Sequence, residues 1–309
     1  MKSRTEDLDE IIETILDRVV PGMLRVNWRT HHLAQNVGIR DSNRFTDAGT
    51  VIERIEPWSP GERVDDIASA ATGWTELITT VYRDETPLDI VVIADASVTM
   101  EFGSERVSIR ILAAEIQAGI NAAAQQRCDN IGAISYSDTR VESRLALQPA
   151  RRELLQEALW LYLSAEPNST AAKPVDESGL VEALTSLPSS RRCLVFVLSD
   201  FGNLSQGDIE ALSQAACRHD VCCVLLSDRR VEELPPGVGV RVLRYMRTQK
   251  AQVFWLTRRG RQQWQDEYQC AHKALLAQLT ETCGCRVWQF RTGEDPVERL
   301  TLLLAGETE

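Results

Sequence analysis

The stretch that most constrains the fold is Leu88-Asp89-Ile90-Val91-Val92-Ile93-Ala94-Asp95, continuing into Ala96-Ser97-Val98-Thr99-Met100. Its apolar residues are nearly unbroken and β-branched at the centre. A strand with one wet face alternates; an unbroken run belongs to a strand covered on both faces, as in a parallel sheet. The run ends on a carboxylate, with hydroxyls two and four residues further on. Open α/β sheets place ligands at the carboxyl ends of their strands. Asp95, Ser97 and Thr99 are therefore candidate metal ligands. Three hard oxygens on one loop suit a magnesium-type cation, which takes oxygens at about 2.0–2.1 Å. The plainer reading is a strand end whose hydroxyls satisfy turn or helix-cap backbone groups.

Similar apolar runs recur at Asn130–Ser137, Arg192–Asp200 and Val221–Asp228, the last two ending on Ser-Asp. Between them, apolar residues return at helical spacing: Ile109, Leu112, Ala113, Ile116, Ile120 and Ala123, then Leu154, Leu155, Ala158, Leu159 and Tyr162. Further helices are expected over 178–187 and 205–218. Strand, helix and strand at this spacing make βαβ units. Three strands ending in aspartate indicate an α/β fold with a doubly wound, mostly parallel sheet and a site along one edge. Val141–Leu147 reads as an edge strand. The helix after Thr99 is expected to start at Ser104 or Glu105 and to reach Cys128. Val240–Tyr245 and Gln252–Leu256 read as a strand pair. A long helix over 258–283 is expected to pack Trp264, Tyr268, Ala271, Leu275 and Leu279 on the core. Arg286–Phe290 reads as a last strand and 296–304 as a closing helix.

Ahead of the sheet, Leu8, Ile11, Ile12, Ile15, Leu16 and Val19 form a helical stripe stopped by Pro21-Gly22. The expected organisation is an N-terminal helix over 1–22, a small β-rich module over 23–86 and an α/β domain with a C-terminal extension over 87–309. The net charge is −11, and no Lys/Arg cluster makes a phosphate-tracking face, which argues against nucleic acid. The N-terminus is polar and acidic, and no apolar run reaches the length of a bilayer span, so a soluble, cytoplasmic protein is expected. Among eight cysteines, Cys193, Cys217, Cys222 and Cys223 read as small buried hydrophobes in a reducing compartment. Cys283-Gly284-Cys285 lacks a second ligand pair, and His31-His32, His219 and His272 have no second ligand at metal spacing.

Asp95-x-Ser97-x-Thr99 resembles the metal-ion-dependent adhesion site of von Willebrand factor A domains, Asp-x-Ser-x-Ser, with threonine at the last position. Arg54, Pro60, Gly61, Glu62 and Arg63 approximate the Arg-x-Tyr-x-Pro-Gly-Asp-x-x-Arg segment of the bacterial domain of unknown function 58 family, which precedes a von Willebrand-type domain. Leu226-Ser227-Asp228 through Glu233-Leu234-Pro235 to Gly237 is similar to a later segment of that family. The resemblance runs from about Arg54 to the C-terminus.

It implies a metal set of Asp95, Ser97 and Thr99, a hydroxyl from a middle loop, and Asp200 as the later acid. The family's Gly-Thr-Asp-Leu-x-x-Ala-Leu overlays Glu177 to Leu184 and puts Ser178 at the hydroxyl position, with Thr170 as the alternative. The cation implied is magnesium, with manganese as second choice. The function implied is a non-enzymatic, protein-binding adaptor. It would work with a MoxR-type AAA+ ATPase as a chaperone in assembly or maturation of a complex, capturing a carboxylate of an acidic client through the cation. One rival is a metal-free scaffold that binds by its surface. Another is a haloacid-dehalogenase-like phosphatase, whose Asp-x-Asp-x-Thr differs at one position. There Ser97 replaces the general acid and has no useful acid pKa.

Overall fold

The computed structural model describes residues 4–19, 51–57, 78–83, 87–104, 107–166, 178–202, 204–229, 239–244 and 251–305. The chain forms two compact units, Leu33–Pro87 and a larger one of Met1–His32 with Leu88–Glu309. In the smaller unit β1 (Val51–Pro57) pairs antiparallel with β2 (Ile78–Arg83). Arg54 lies in β1; Pro60, Gly61, Glu62 and Arg63 fall outside the described residues, as do His31 and His32.

The larger unit is built on a six-stranded sheet of β3 (Asp89–Asp95), β4 (Asn130–Tyr136), β5 (Val141–Pro149), β6 (Leu194–Ser199), β7 (Asp220–Ser227) and β10 (Arg286–Arg291). The spatial order is β10-β7-β6-β3-β4-β5, all parallel except β5, which pairs antiparallel with β4 at the edge. Ile90 to Ala94 of β3 are at most 4 % exposed. Central position and two covered faces explain the unbroken apolar run.

Side chains alternate across the sheet. Val91, Ile93, Val195, Val197, Val221 and Cys223 join one core with α4 (Gly179–Thr185) and α5 (Gln206–Arg218). On the opposite face lies α2 (Ile109–Gln126), flanked by α1 (Arg4–Arg18) and α3 (Arg152–Ser164) and by the closing helix α7 (Pro296–Ala305). α1 sinks Ile12, Ile15 and Leu16, with Val19 buried just past its end, and its Arg18 pairs with Glu115 of α2. Gly119 of α2 brings α7 close: a Cβ there would come within 2.3 Å of the Leu300 side-chain methyl, which would have to move aside. Between β7 and β10 the chain makes an antiparallel pair, β8 (Gly239–Arg244) and β9 (Ala251–Leu256), then α6 (Arg258–Ala277).

Three expectations need correction. α2 starts at Ile109, capped by the Ser108 hydroxyl, because a 3-10 turn over Val98–Glu101 and a bend come first. The aromatic stripe of α6 is not core. No residue of that helix is fully buried; its apolar side meets the core towards the C-terminal end, where Leu275 and Leu276 pack against it, and at buried Leu279 in the π-helical turn that follows. Cys217 is exposed, whereas Cys193, Cys222 and Cys223 are buried. The inward stripe of α5 is Ile209, Leu212 and Ala215, and position 217 turns outward from it.

Candidate metal centre

Counted from β3, the strand order is 3-2-1-4-5-6, so the order in which strands are added reverses between the parallel neighbours β3 and β6. Asp95 ends β3 and Asp200 follows β6, so the two acids flank this switch point, where doubly wound sheets bind ligands. Alternation from Val91 and Ile93 aims the Asp95 side chain at the α4/α5 face. Register then aligns Tyr136 of β4 with Asp95 on one side, and Ser199 of β6 follows the Ala94–Leu198 pair on the other.

Asp95 is 6 % exposed. Its Oδ1 accepts the Ser97 N–H at 2.8 Å and its Oδ2 accepts the Ser199 hydroxyl at 2.6 Å. The Ser97 and Thr99 hydroxyl oxygens are 3.0 Å apart. Asp200 is half-buried, and its Oδ1 accepts the Gly202 N–H at 3.0 Å. Between them Phe201 is held at φ +47°, a left-handed conformation that costs a non-glycine residue about 1 kcal/mol. Burial, and then the Asp200 carboxylate, push the Asp95 carboxyl from 3.8 up to about 6, against the hydrogen bonds from Ser199 and Ser97. Two acids are thus held close at a partly dry strand end.

The loop is fixed from two sides. The Tyr162 hydroxyl of α3 donates to the Asp95 carbonyl at 2.8 Å. The buried guanidinium of Arg110 lies 5.3 Å from the centre of the Tyr162 ring and pairs with Glu101, at the end of the 3-10 turn. It also donates to the carbonyls of Tyr162 and Ala165. On the other side Asp228, after β7, is fully buried. It accepts the Ser104 N–H at 2.9 Å and the Thr292 hydroxyl at 2.9 Å. The third strand-end aspartate is therefore a clasp for the loop rather than part of the ligand set.

Ser178 caps α4, its hydroxyl accepting the Leu180 N–H at 3.2 Å. The next residue must be glycine, because a Cβ on Gly179 would sit 2.1 Å from the Ser137 carbonyl oxygen. This contact presses the start of α4 onto the β4–β5 turn, at the same sheet edge as Asp95. No hydrogen bond links Ser178 to Asp95, Ser97, Thr99 or Asp200 among the described residues. Thr170 lies outside them. Sequence reading missed Ser199, Tyr162 and Arg110. Strand alternation was the available signal for Ser199, since it falls two residues after Val197 on the face Asp95 uses.

The donor set fits a small hard cation. Octahedral coordination at about 2.0–2.1 Å separates adjacent ligands by about 2.9 Å, close to the Ser97–Thr99 oxygen spacing of 3.0 Å. All side-chain donors are oxygens, and the close pair of acids favours positive charge. Among the described residues no three His, Cys, Asp or Glu side chains surround a common metal position. Two acids and hydroxyls suit magnesium, which keeps several waters, better than zinc.

No curated protein matches the chain in sequence. Solved structures of related fold include an aerotolerance-related membrane protein from Bacteroides fragilis, at 13 % identity over 72 % of this chain and 100 % of that one, TM-score 0.45. BatB from Bacteroides thetaiotaomicron gives 13 % identity over 72 % and 100 %, TM-score 0.43. A von Willebrand factor type A protein from Catenulispora acidiphila gives 12 % over 74 % and 43 %, TM-score 0.38. These likenesses concern the fold and assign no activity. Among the described residues no helix is long and apolar enough to cross a membrane. The family described as "Protein of unknown function DUF58" matches residues 57–274, well over half of the sequence, and the chain belongs to that family.

Proposed function

We propose that this chain is a non-enzymatic interaction scaffold that captures a carboxylate of a partner protein through a divalent cation at the carboxyl edge of its sheet. The observation that carries the reading is the buried Asp95, raised to about 6 by burial and by Asp200, beside two hydroxyls 3.0 Å apart. A magnesium or manganese ion would be held by Asp95, Ser97, Thr99 and Asp200, with Ser178 or Thr170 as the further hydroxyl. Bound there, the ion supplies an open coordination position for a carboxylate. Asp95 and Asp200 contribute charge, Ser97 and Thr99 complete one side, and Tyr162 and Arg110 hold the loop. A bridged carboxylate gives direction and specificity without a large apolar interface. The partners proposed are a MoxR-type AAA+ ATPase and an acidic client, in assembly or maturation of a complex. A cytoplasmic location is proposed, supported by eight cysteines that are all unpaired.

The test is co-purification of the chain with such an ATPase in magnesium or in chelator, using wild type and Asp200→Ala. Retention that needs both the cation and Asp200 supports the reading; retention indifferent to both favours the metal-free scaffold. That second reading has its own observation, since Ser199 and the Ser97 N–H already bond both Asp95 oxygens.

A further inference from the structure

At the amino edge of the same sheet, the starts of β6, β7 and β10 and the end of α5 surround a small open recess of about 50 Å³. Leu194, Val221 and Cys222 give it an apolar wall, and His219, Asp220 and Arg286 its polar lining. His219 is 4 % exposed, and its Nδ1 accepts the Cys193 N–H at 3.2 Å. An accepting ring nitrogen carries no proton, so the neutral imidazole keeps its hydrogen on Nε2 as a donor. Burial, then Arg218 and Arg192, hold this imidazole below its ordinary pKa, which preserves that tautomer at neutral pH.

The surrounding arginines are uncommitted. Arg192, Arg218 and Arg286 make no ion pair or side-chain hydrogen bond among the described residues. By contrast, Arg18, Arg110, Arg140, Arg152, Arg191 and Arg299 are each paired with an acid. Arg218 adjoins His219 in the chain, and Arg192 adjoins Cys193, whose N–H the imidazole accepts. Asp220 is the one carboxylate of the lining and already interacts within the fold. In a chain of net charge −11, three unpaired guanidinium groups around a buried donor are a local reversal of sign.

We infer that this recess binds a small oxyanion of the phosphate class, with the Arg286 guanidinium and the His219 Nε2–H as donors and Arg192 and Arg218 as surrounding charge. A guanidinium fork matches two phosphate oxygens at once, and His219 adds a donor fixed in direction by its bond to Cys193. The site lies at the other end of β6 and β7 from Asp200 and Asp228, so it stands or falls independently of cation binding.

The experiment is a titration of the full chain with inorganic phosphate, following the His219 imidazole by nuclear magnetic resonance. Its signals are identified by their loss in His219→Gln. The expected result is a saturable shift and a raised His219 titration midpoint. Arg286→Gln should weaken binding about tenfold. Arg218→Gln should weaken it less, and Arg144→Gln, exposed on the distant edge strand β5, not at all. If Arg286→Gln fails to fold, Arg286→Lys keeps the charge but not the fork and should also bind more weakly. A parallel titration with phenyl phosphate separates the two sources of the group: tighter binding than inorganic phosphate assigns an ester and weaker binding free phosphate. No saturable shift, or equal affinity in wild type and the Arg286 variant, would overturn the inference.

Discussion

At the carboxyl edge of the sheet, Asp95 and Asp200 lie near enough for one carboxylate to raise the pKa of the other. At the amino edge, Asp89 is matched by Arg191 at 2.9 Å, and the unmatched groups are arginines around a buried imidazole. Burial acts on both edges but with opposite consequences. It disfavours the charged form of Asp95 and equally the charged form of His219. Neutral Asp95 holds a proton and neutral His219 has lost one. The edges should therefore respond to pH in opposite directions. Each has an electrostatic deficit that one ligand class would relieve, a cation above and an oxyanion below.

The largest expected effect concerns what holds the upper edge. Arg110→Met removes a buried cation that ties Glu101 to the end of α3, and should lower unfolding stability by about 3 kcal/mol in urea titration. Any cation affinity should fall with it, while phosphate binding at the lower edge should be unaltered.

Next is Asp95→Asn. Moving a carboxyl from 3.8 to about 6 costs the ionised fold about 2–3 kcal/mol. The contribution of Asp95 is fully present below its unfolded pKa and is lost as pH rises through about 6. Asparagine removes that loss, so the variant should be more stable than wild type at pH 7 by about 2 kcal/mol. The gain should vanish near pH 4, as denaturant midpoints across that range would show. A variant equally or less stable at pH 7 would mean the acid pair is not loaded.

His219→Ala leaves the Cys193 N–H unpaired and should cost about 1–2 kcal/mol. With its folded pKa depressed, His219 contributes stability that is present above its unfolded pKa and lost as pH falls through the folded one. The cost of the variant should therefore shrink on acidification, opposite in sign to the Asp95 effect. Ser199→Ala is the mildest, at about 1 kcal/mol. It removes a hydrogen bond that lowers the Asp95 pKa, so the Asp95 titration midpoint should rise further.

The sheet was legible because Ile90 to Ala94 and Leu194 to Leu198 are buried on both faces, which leaves an unbroken apolar run that no turn or surface helix produces. Asp95 and Asp200 were legible because strand ends carry chemistry in such sheets. Ser199 and Tyr162 were not, since a serine before an aspartate and a tyrosine on an amphipathic helix have common structural uses. Only register and packing bring them onto Asp95. Asp228 shares the Ser-Asp strand end of Asp200, but only the packing shows that its oxygens are taken by Ser104 and Thr292. The α6 stripe misled because apolar periodicity records an amphipathic face without saying what covers it.

The most direct test of the central account is calorimetric titration of magnesium and manganese into metal-stripped wild type, with folded Asp95→Ala and Asp200→Ala beside it. The account predicts saturable binding to wild type that disappears in both variants. Binding that survives in either variant, or none to the wild type, would contradict it.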